Sequence, residues 1–127
     1  MYDKTLIFEA LQNIEEMLHP LLEGTADIEN VNDLFMSPEE VLRLRGICMS
    51  LQTVGETVKS IDKRTEGTLL PKYPEIDWHN IMRMRDIIAH HYFEVNVDVV
   101  FDTLRHDIPT LLDVILRMQR DLHPKIV

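Results

Sequence analysis

The 127-residue chain is poor in cysteine (one), glycine (four) and tryptophan (one), and its 13 lysines and arginines are outnumbered by 22 aspartates and glutamates, for a formal net charge of −9. A lone Cys48 excludes an internal disulfide framework and any multi-cysteine zinc site, and fits a reducing compartment. With so little glycine and no glycine- or serine-rich linker, repeat or low-complexity tract, nothing divides the chain, so one domain over residues 1–127 is expected. A P-loop is excluded for the same reason, since no glycine-rich phosphate-binding turn is present. No apolar run approaches the ~20 residues a membrane-spanning helix needs. The start Met1-Tyr2-Asp3-Lys4 lacks the order of basic, apolar and small residues of a secretory signal. The expectation is a cytoplasmic protein with no membrane contact. The negative balance disfavours a surface-wide attraction to nucleic acid, so any contact with RNA has to be local. What the chain does have is 45% hydrophobic residues, too many for a disordered polymer. Its length suffices to hide roughly two-thirds of the unfolded surface.

Apolar residues recur at three-and-four spacing almost throughout, which predicts an all-α protein. Ile7, Ala10, Leu11, Ile14, Leu18 and Leu21 form a first stripe, with Pro20 expected to end or kink the helix near His19. A short helix over Ile28 to Phe35 is expected next. Ser37 then reads as an N-cap, with Pro38 in the first position, Glu40 completing a capping box and Met36 stapling onto Val41. Leu44, Ile47, Cys48, Leu51, Val54, Val58 and Ile61 extend that second helix to about Lys63. Pro71 and Pro74 interrupt the chain. Asp77 caps a third helix, running to about His90, with Ile76 placed to staple onto Ile81. A fourth, from Phe101 through Leu122, is expected to bend or restart near Pro109. Short connections between long amphipathic helices predict an antiparallel up-and-down bundle of four to five helices.

The third helix carries the chemistry. Its inward stripe, Trp78, Ile81, Met82, Arg85, Ile88 and Ala89, is interrupted by Arg85 although polar positions are available at His79, Asn80, Arg83 and Asp86. A guanidinium facing a core must be paired or must open onto a cleft, because an isolated buried charge is prohibitively costly. The structural reading pairs it with a carboxylate such as Glu56; the functional one makes it a phosphate-binding fork. His90 follows Arg85 by five residues, about 140° around an ideal helix, so only a helix end or a second subunit can bring the two together. Tyr92 follows by seven, nearly two turns, and shares the face of Arg85 if helical geometry persists. Histidine transfers protons near neutrality. Histidine with arginine, and no metal, suffices for RNA cleavage by the 2′-hydroxyl: a base removes its proton and the cation stabilises the crowded phosphate. Paired histidines are also common as exposed helix-end residues, and a tyrosine there as a packed aromatic.

Other centres are weaker. Ferritin-like bundles use two Glu-x-x-His elements and this chain has one, Glu16 with His19, next to Pro20. Asp86 with His90, and Asp102 with His106, are i,i+4 pairs more simply read as surface contacts. Cys48 lies within an apolar stripe, where an inert thiol is expected.

Tyr73-Pro74-Glu75-Ile76-Asp77-Trp78 followed by Met84-Arg85-Asp86-Ile87-Ile88-Ala89-His90-His91-Tyr92-Phe93 resembles the HepT-like family of the HEPN superfamily. The signature of that family, Arg, four residues, His, one residue, Tyr, is matched here by Arg85, His90 and Tyr92. The segment Leu51 to Lys59 is similar to the glycine-glutamate helix of the family through Gly55 and Glu56. The resemblance covers nearly the whole chain. It implies a HEPN bundle that forms a homodimer around a shared cleft and acts as a metal-independent, cofactor-free ribonuclease toxin of a type II/VII-like toxin–antitoxin pair. Arg85 and His90 are then catalytic, with His91 and Glu56 as possible auxiliaries, and RNA is the substrate. Tyr92 becomes the residue to which an MntA-like minimal nucleotidyltransferase antitoxin attaches adenylate. The alternative is a non-catalytic nucleotide-binding or interaction partner of such a nucleotidyltransferase.

Overall fold

The computed structural model describes residues 2–123, so the single-domain expectation over 1–127 extends to Met1 and 124–127, which lie outside the described residues. Helix α1 (Lys4–Glu23) starts at Asp3, whose carboxylate accepts from the backbone N–H groups of Thr5 and Leu6. It buries Ile7, Leu11, Ile14, Leu18 and Leu21, as the spacing predicts. Fully burying one such side chain contributes roughly 1.5–3 kcal/mol. The expected end at His19 is not found: α1 continues through Pro20. Proline forfeits one backbone hydrogen bond, but buried Leu18 and Leu21 on either side hold the last turn against the core, and the Pro20 carbonyl accepts from Gly24 N–H at 2.7 Å.

The segment expected as a helix over Ile28 to Phe35 is a shorter 3-10 turn, Val31–Phe35, capped by Asn30 and Asp33 and anchored by buried Leu34. Helix α2 (Pro38–Arg64) starts as predicted, with Ser37 Oγ accepting from Glu40 N–H at 3.2 Å. Two details differ. Glu40 pairs with Arg43 at 3.2 Å instead of closing the capping box, and Met36 is 76% exposed, so it staples nothing. Asp77 caps α3 (Trp78–His90), accepting from Asn80 N–H at 3.0 Å. The last segment is interrupted as expected: α4 (Val97–Asp102) passes through a π turn, Thr103–Asp107, into α5 (Ile108–Leu122), with Pro109 in the first turn of α5.

The four long helices and the short α4 form an all-α, up-and-down bundle. Antiparallel pairing of α1 and α5 is marked by Phe8 against His123 and by Gln119 donating to the Leu11 carbonyl and Glu15 carboxylate. α2 lies between α1 and α3, and the α2–α3 contact is extensive. Arg43 and Arg105 lace the loop after α1 to the bundle: Arg43 donates to the Gly24 carbonyl and pairs with Asp27, and Arg105 donates to the Thr25 and Ile28 carbonyls. Among the described residues, no helix is long and apolar enough to cross a membrane.

Candidate active site

Arg85 is positioned by a glycine on the facing helix. A Cβ added to Gly55 of α2 would stand 2.4 Å from Arg85 Cβ and 3.2 Å from the Ile81 carbonyl oxygen, so α2 and α3 approach here at a distance only glycine permits. The Arg85 side chain emerges 22% exposed at the edge of this contact. Its Nη1 donates to Asp86 Oδ1 at 2.9 Å and its Nη2 to Glu56 Oε1 at 3.3 Å, while Nε is buried without a partner. The expected pairing with Glu56 is therefore present, with a second carboxylate added. Asp86, in turn, lies 3.6 Å from Lys59 Nζ, so its ion-pair partners are Arg85 and Lys59 rather than the His90 that i,i+4 spacing suggested. The Asp86 contact first, and then Glu56, hold the guanidinium pKa above its ordinary value, and Arg85 first, then Lys59, hold the Asp86 carboxyl below its own. Arg85 is thus a permanent cation aimed by two carboxylates. The four side chains Arg85, Lys59, Glu56 and Asp86 sum to zero, and each Arg85 Nη keeps a second N–H that neither carboxylate takes.

His90 is the last residue of α3 and is exposed; among the described residues its side chain makes no hydrogen bond or ion pair. Within one chain it points about 140° away from Arg85, as the spacing requires. His91 follows with φ −139° and ψ 45°, ending the helix, and its Nδ1 lies 3.6 Å from Glu94 Oε2. Helical geometry therefore does not persist to Tyr92, correcting the idea that Tyr92 reaches the face of Arg85 by two further turns of α3. It opens a separate 3-10 turn, Tyr92–Glu94. The Tyr92 ring instead lies back against α2, in a recess of about 270 Å³ shared with Arg45, Cys48, Met49, Gln52 and Ile88. Gln52 donates to Glu56 at 3.3 Å, so one face of α2 connects this recess to Arg85. Arg85 does not line the Tyr92 recess; the two are linked only along α2, through Gln52 and Glu56, and His90 is exposed. Burial raises the Tyr92 phenol above its usual pKa, the neighbouring Cys48 adds to this, and Arg45 opposes it.

The remaining candidates separate cleanly. His19 pairs with Glu15 at 2.9 Å rather than assembling with Glu16, and among the described residues no three His, Cys, Asp or Glu side chains are grouped to hold a metal. Asp102 and His106 form the surface pair expected of them, 3.8 Å apart and exposed. Cys48 is buried, and burial pushes its thiol up to about 11, as suits an inert core residue. Sequence reasoning missed Asp86 as a partner of Arg85, and it missed Arg45 and Gln52. Positions 45, 52 and 56 repeat at i, i+7 and i+11, the spacing of one helix face, and that signal was available.

The fold is an all-α bundle in which a guanidinium stands on a helix that ends in a histidine. The chain belongs to the ribonuclease HepT-like family, which matches residues 7–118, and it is a ribonuclease of the HEPN superfamily. It is similar to a provisionally named RNase of Methanocaldococcus jannaschii, 28% identical over 116 residues that cover 87% of this chain and 91% of the relative. A second provisionally named RNase of the same organism is 30% identical over 118 residues, covering 90% and 93% of the two chains. A provisionally named ribonuclease HepT of Thermococcus cleftensis is 37% identical over 65 residues, covering 51% and 56%. No solved structure matches the chain.

Proposed function

We propose that this ribonuclease is a cytoplasmic toxin of a type II/VII-like toxin–antitoxin pair that cuts RNA without a metal, in a cleft shared by a homodimer. The observation that carries the reading is Arg85, a fixed cation on the α2–α3 groove of an acidic protein, aimed by Glu56 and Asp86 and standing in the Arg-x4-His-x-Tyr pattern. His90 takes the proton from the ribose 2′-hydroxyl; the 2′-oxygen to phosphorus bond forms, the phosphorus to 5′-oxygen bond breaks, and the 5′-oxygen leaves with a proton from water or from a second histidine. Arg85 stabilises the extra negative charge on the five-coordinate phosphorus. Because His90 faces away from the Arg85 of its own chain, a two-fold partner is the economical way to complete the site, and this supports the dimer. Glu56 acts as a positioning residue for Arg85. His91, tied to Glu94, fills the variable position of the pattern.

Control falls to Tyr92, in our reading. A nucleotidyltransferase of the MntA type attaches adenylate to its hydroxyl, adding phosphodiester charge and a base at the mouth of the groove and excluding RNA. A second reading, a non-catalytic nucleotide-binding partner of such an enzyme, draws support from the −9 charge and from the two carboxylates already on Arg85. The deciding experiment incubates purified, unmodified protein and its Arg85→Ala variant with RNA. Cleavage by the first and not by the second upholds the nuclease; nucleotide binding without cleavage by either supports the alternative.

A further inference from the structure

Around the Tyr92 recess the structure leaves two side chains that neither the core nor the Arg85 centre accounts for. Phe93 is 96% exposed and meets Tyr92 edge to face, ring centroids 5.7 Å apart at 75°. A ring so exposed buries almost none of its apolar area, and its face is open to a ligand. Arg45 is exposed and faces the Tyr92 hydroxyl across the recess. Arg43, Lys59, Arg85 and Arg117 all pair with carboxylates, whereas Arg45 has none among the described residues. Gln52, beside them, offers an amide. Arg45 and Phe93 each adjoin Tyr92, and a cation and an exposed aromatic on one site are what single-stranded nucleic acid uses, the charge taking a phosphate and the ring a base. In an acidic chain such a contact has to be local, and this one lies along α2 from Glu56, the partner of Arg85.

We propose that Arg45 and Phe93, with Tyr92 and Gln52 beside them, form a subsite for one nucleotide of the single-stranded RNA held at the Arg85 centre. This rests on the ribonuclease reading of the Arg85 groove and deepens it. Arg45 lies 11 residues from Glu56 on α2, about 16 Å along the axis, so Arg45 and the Glu56-bound Arg85 engage different phosphates of one strand. Phe93 stacks on a base without reading its identity, so the subsite selects single strands over duplex rather than one sequence.

The test measures binding of a labelled single-stranded RNA oligonucleotide to full-length protein carrying Arg85→Ala, so that the probe is not cut, and compares added Arg45→Ala, Arg45→Lys, Phe93→Ala, Phe93→Leu and Phe93→Trp changes. Arg45→Ala should weaken binding by about 5- to 100-fold and reduce the salt slope by about 0.7, and lysine should restore the slope. Phe93→Ala and Phe93→Leu should lose affinity by a similar factor, and Phe93→Trp should keep it. In the cleaving background, Arg45→Ala should raise KM and leave kcat near wild type. RNA bound and cut as by wild type in the Arg45 and Phe93 variants would overturn the subsite and leave the nuclease standing. RNA bound through these residues but never cut by the unmutated protein would uphold the subsite and remove the catalytic reading. If Phe93→Ala and Phe93→Leu change the oligomeric state instead, a second copy of the chain covers the ring and the subsite falls.

Discussion

Replacing Gly55 with alanine adds one methyl group where α2 meets α3 beside Arg85. The new Cβ would lie 2.4 Å from Arg85 Cβ and 3.1 Å from its Cγ, whereas carbon atoms pack comfortably at about 3.5 Å or more, a shortfall of about 1 Å. Arg85 Cβ is fixed to the α3 backbone and cannot swing aside as a side-chain tip could, so α3 itself has to move. Overpacking of this kind costs about 1–3 kcal/mol. Alanine returns about 1 kcal/mol of helix propensity, leaving a net destabilisation of about 0–2 kcal/mol and a protein that still folds. Function is affected more than stability, because a displacement of about 1 Å at a catalytic group can cost about 100-fold in rate. Gly46 provides the control on the same helix: an added Cβ there meets nothing within 4 Å, so Gly46→Ala should stabilise slightly and leave cleavage unchanged. Urea titration followed by circular dichroism reads the stability, and the initial rate on a labelled RNA reads the function. Gly55→Ala protein with wild-type rate and undiminished stability would refute the claim that this contact sets Arg85.

Glu56→Ala should lower kcat by about 10- to 100-fold by freeing the Arg85 fork, while Glu56→Gln, which keeps the accepting oxygen, should retain most of the rate; steady-state kinetics of the two variants separate positioning from bulk charge. The buried Cys48 thiol, its pKa raised to about 11 by burial from 9.0, favours the folded state while neutral. Its contribution is complete below pH 9 and is lost as pH rises towards 11, roughly 2–3 kcal/mol at full ionisation. Stability measured against pH should show that loss in wild type and less of it in Cys48→Val, and a native thiol alkylated quickly at pH 8 would contradict the burial argument. Tyr92→Phe keeps the ring against Cys48 and Phe93 but removes the proposed acceptor oxygen, so intact-mass measurement after incubation with an MntA-type nucleotidyltransferase and ATP should find adenylate on wild type only. Equal labelling of the variant would move the modification elsewhere.

Much of this fold was legible because its helices bury regular stripes: every predicted stripe residue of α2 from Leu44 to Ile61 is buried, and Ser37 and Asp77 cap where they were placed. The errors came where tertiary packing overrides local preference. Pro20 sits inside α1 because Leu18 and Leu21 hold the turn, and Met36 stays in water although its position fits a staple. At the site, the inward position of Arg85 called for a carboxylate such as Glu56, one of the two that pair with it, and spacing set His90 about 140° from it on an ideal helix. It did not identify Asp86, because a side chain one residue away lies off the i,i+4 pattern and reaches Arg85 only through its rotamer. It also misplaced the route to Tyr92, since the break at His91 depends on φ and ψ angles that residue types do not specify.

The account rests on metal-free 2′-hydroxyl attack by Arg85 and His90, and the chemistry of the cut ends tests it most directly. Unmodified wild-type protein is incubated with a defined single-stranded RNA in excess EDTA and the fragments are weighed by mass spectrometry. The account predicts fragments bearing 2′,3′-cyclic phosphate and 5′-hydroxyl ends from wild type, and none from Arg85→Ala or His90→Ala protein of unchanged fold. Fragments with 5′-phosphate ends, or cleavage that EDTA abolishes and one divalent ion restores, would contradict it.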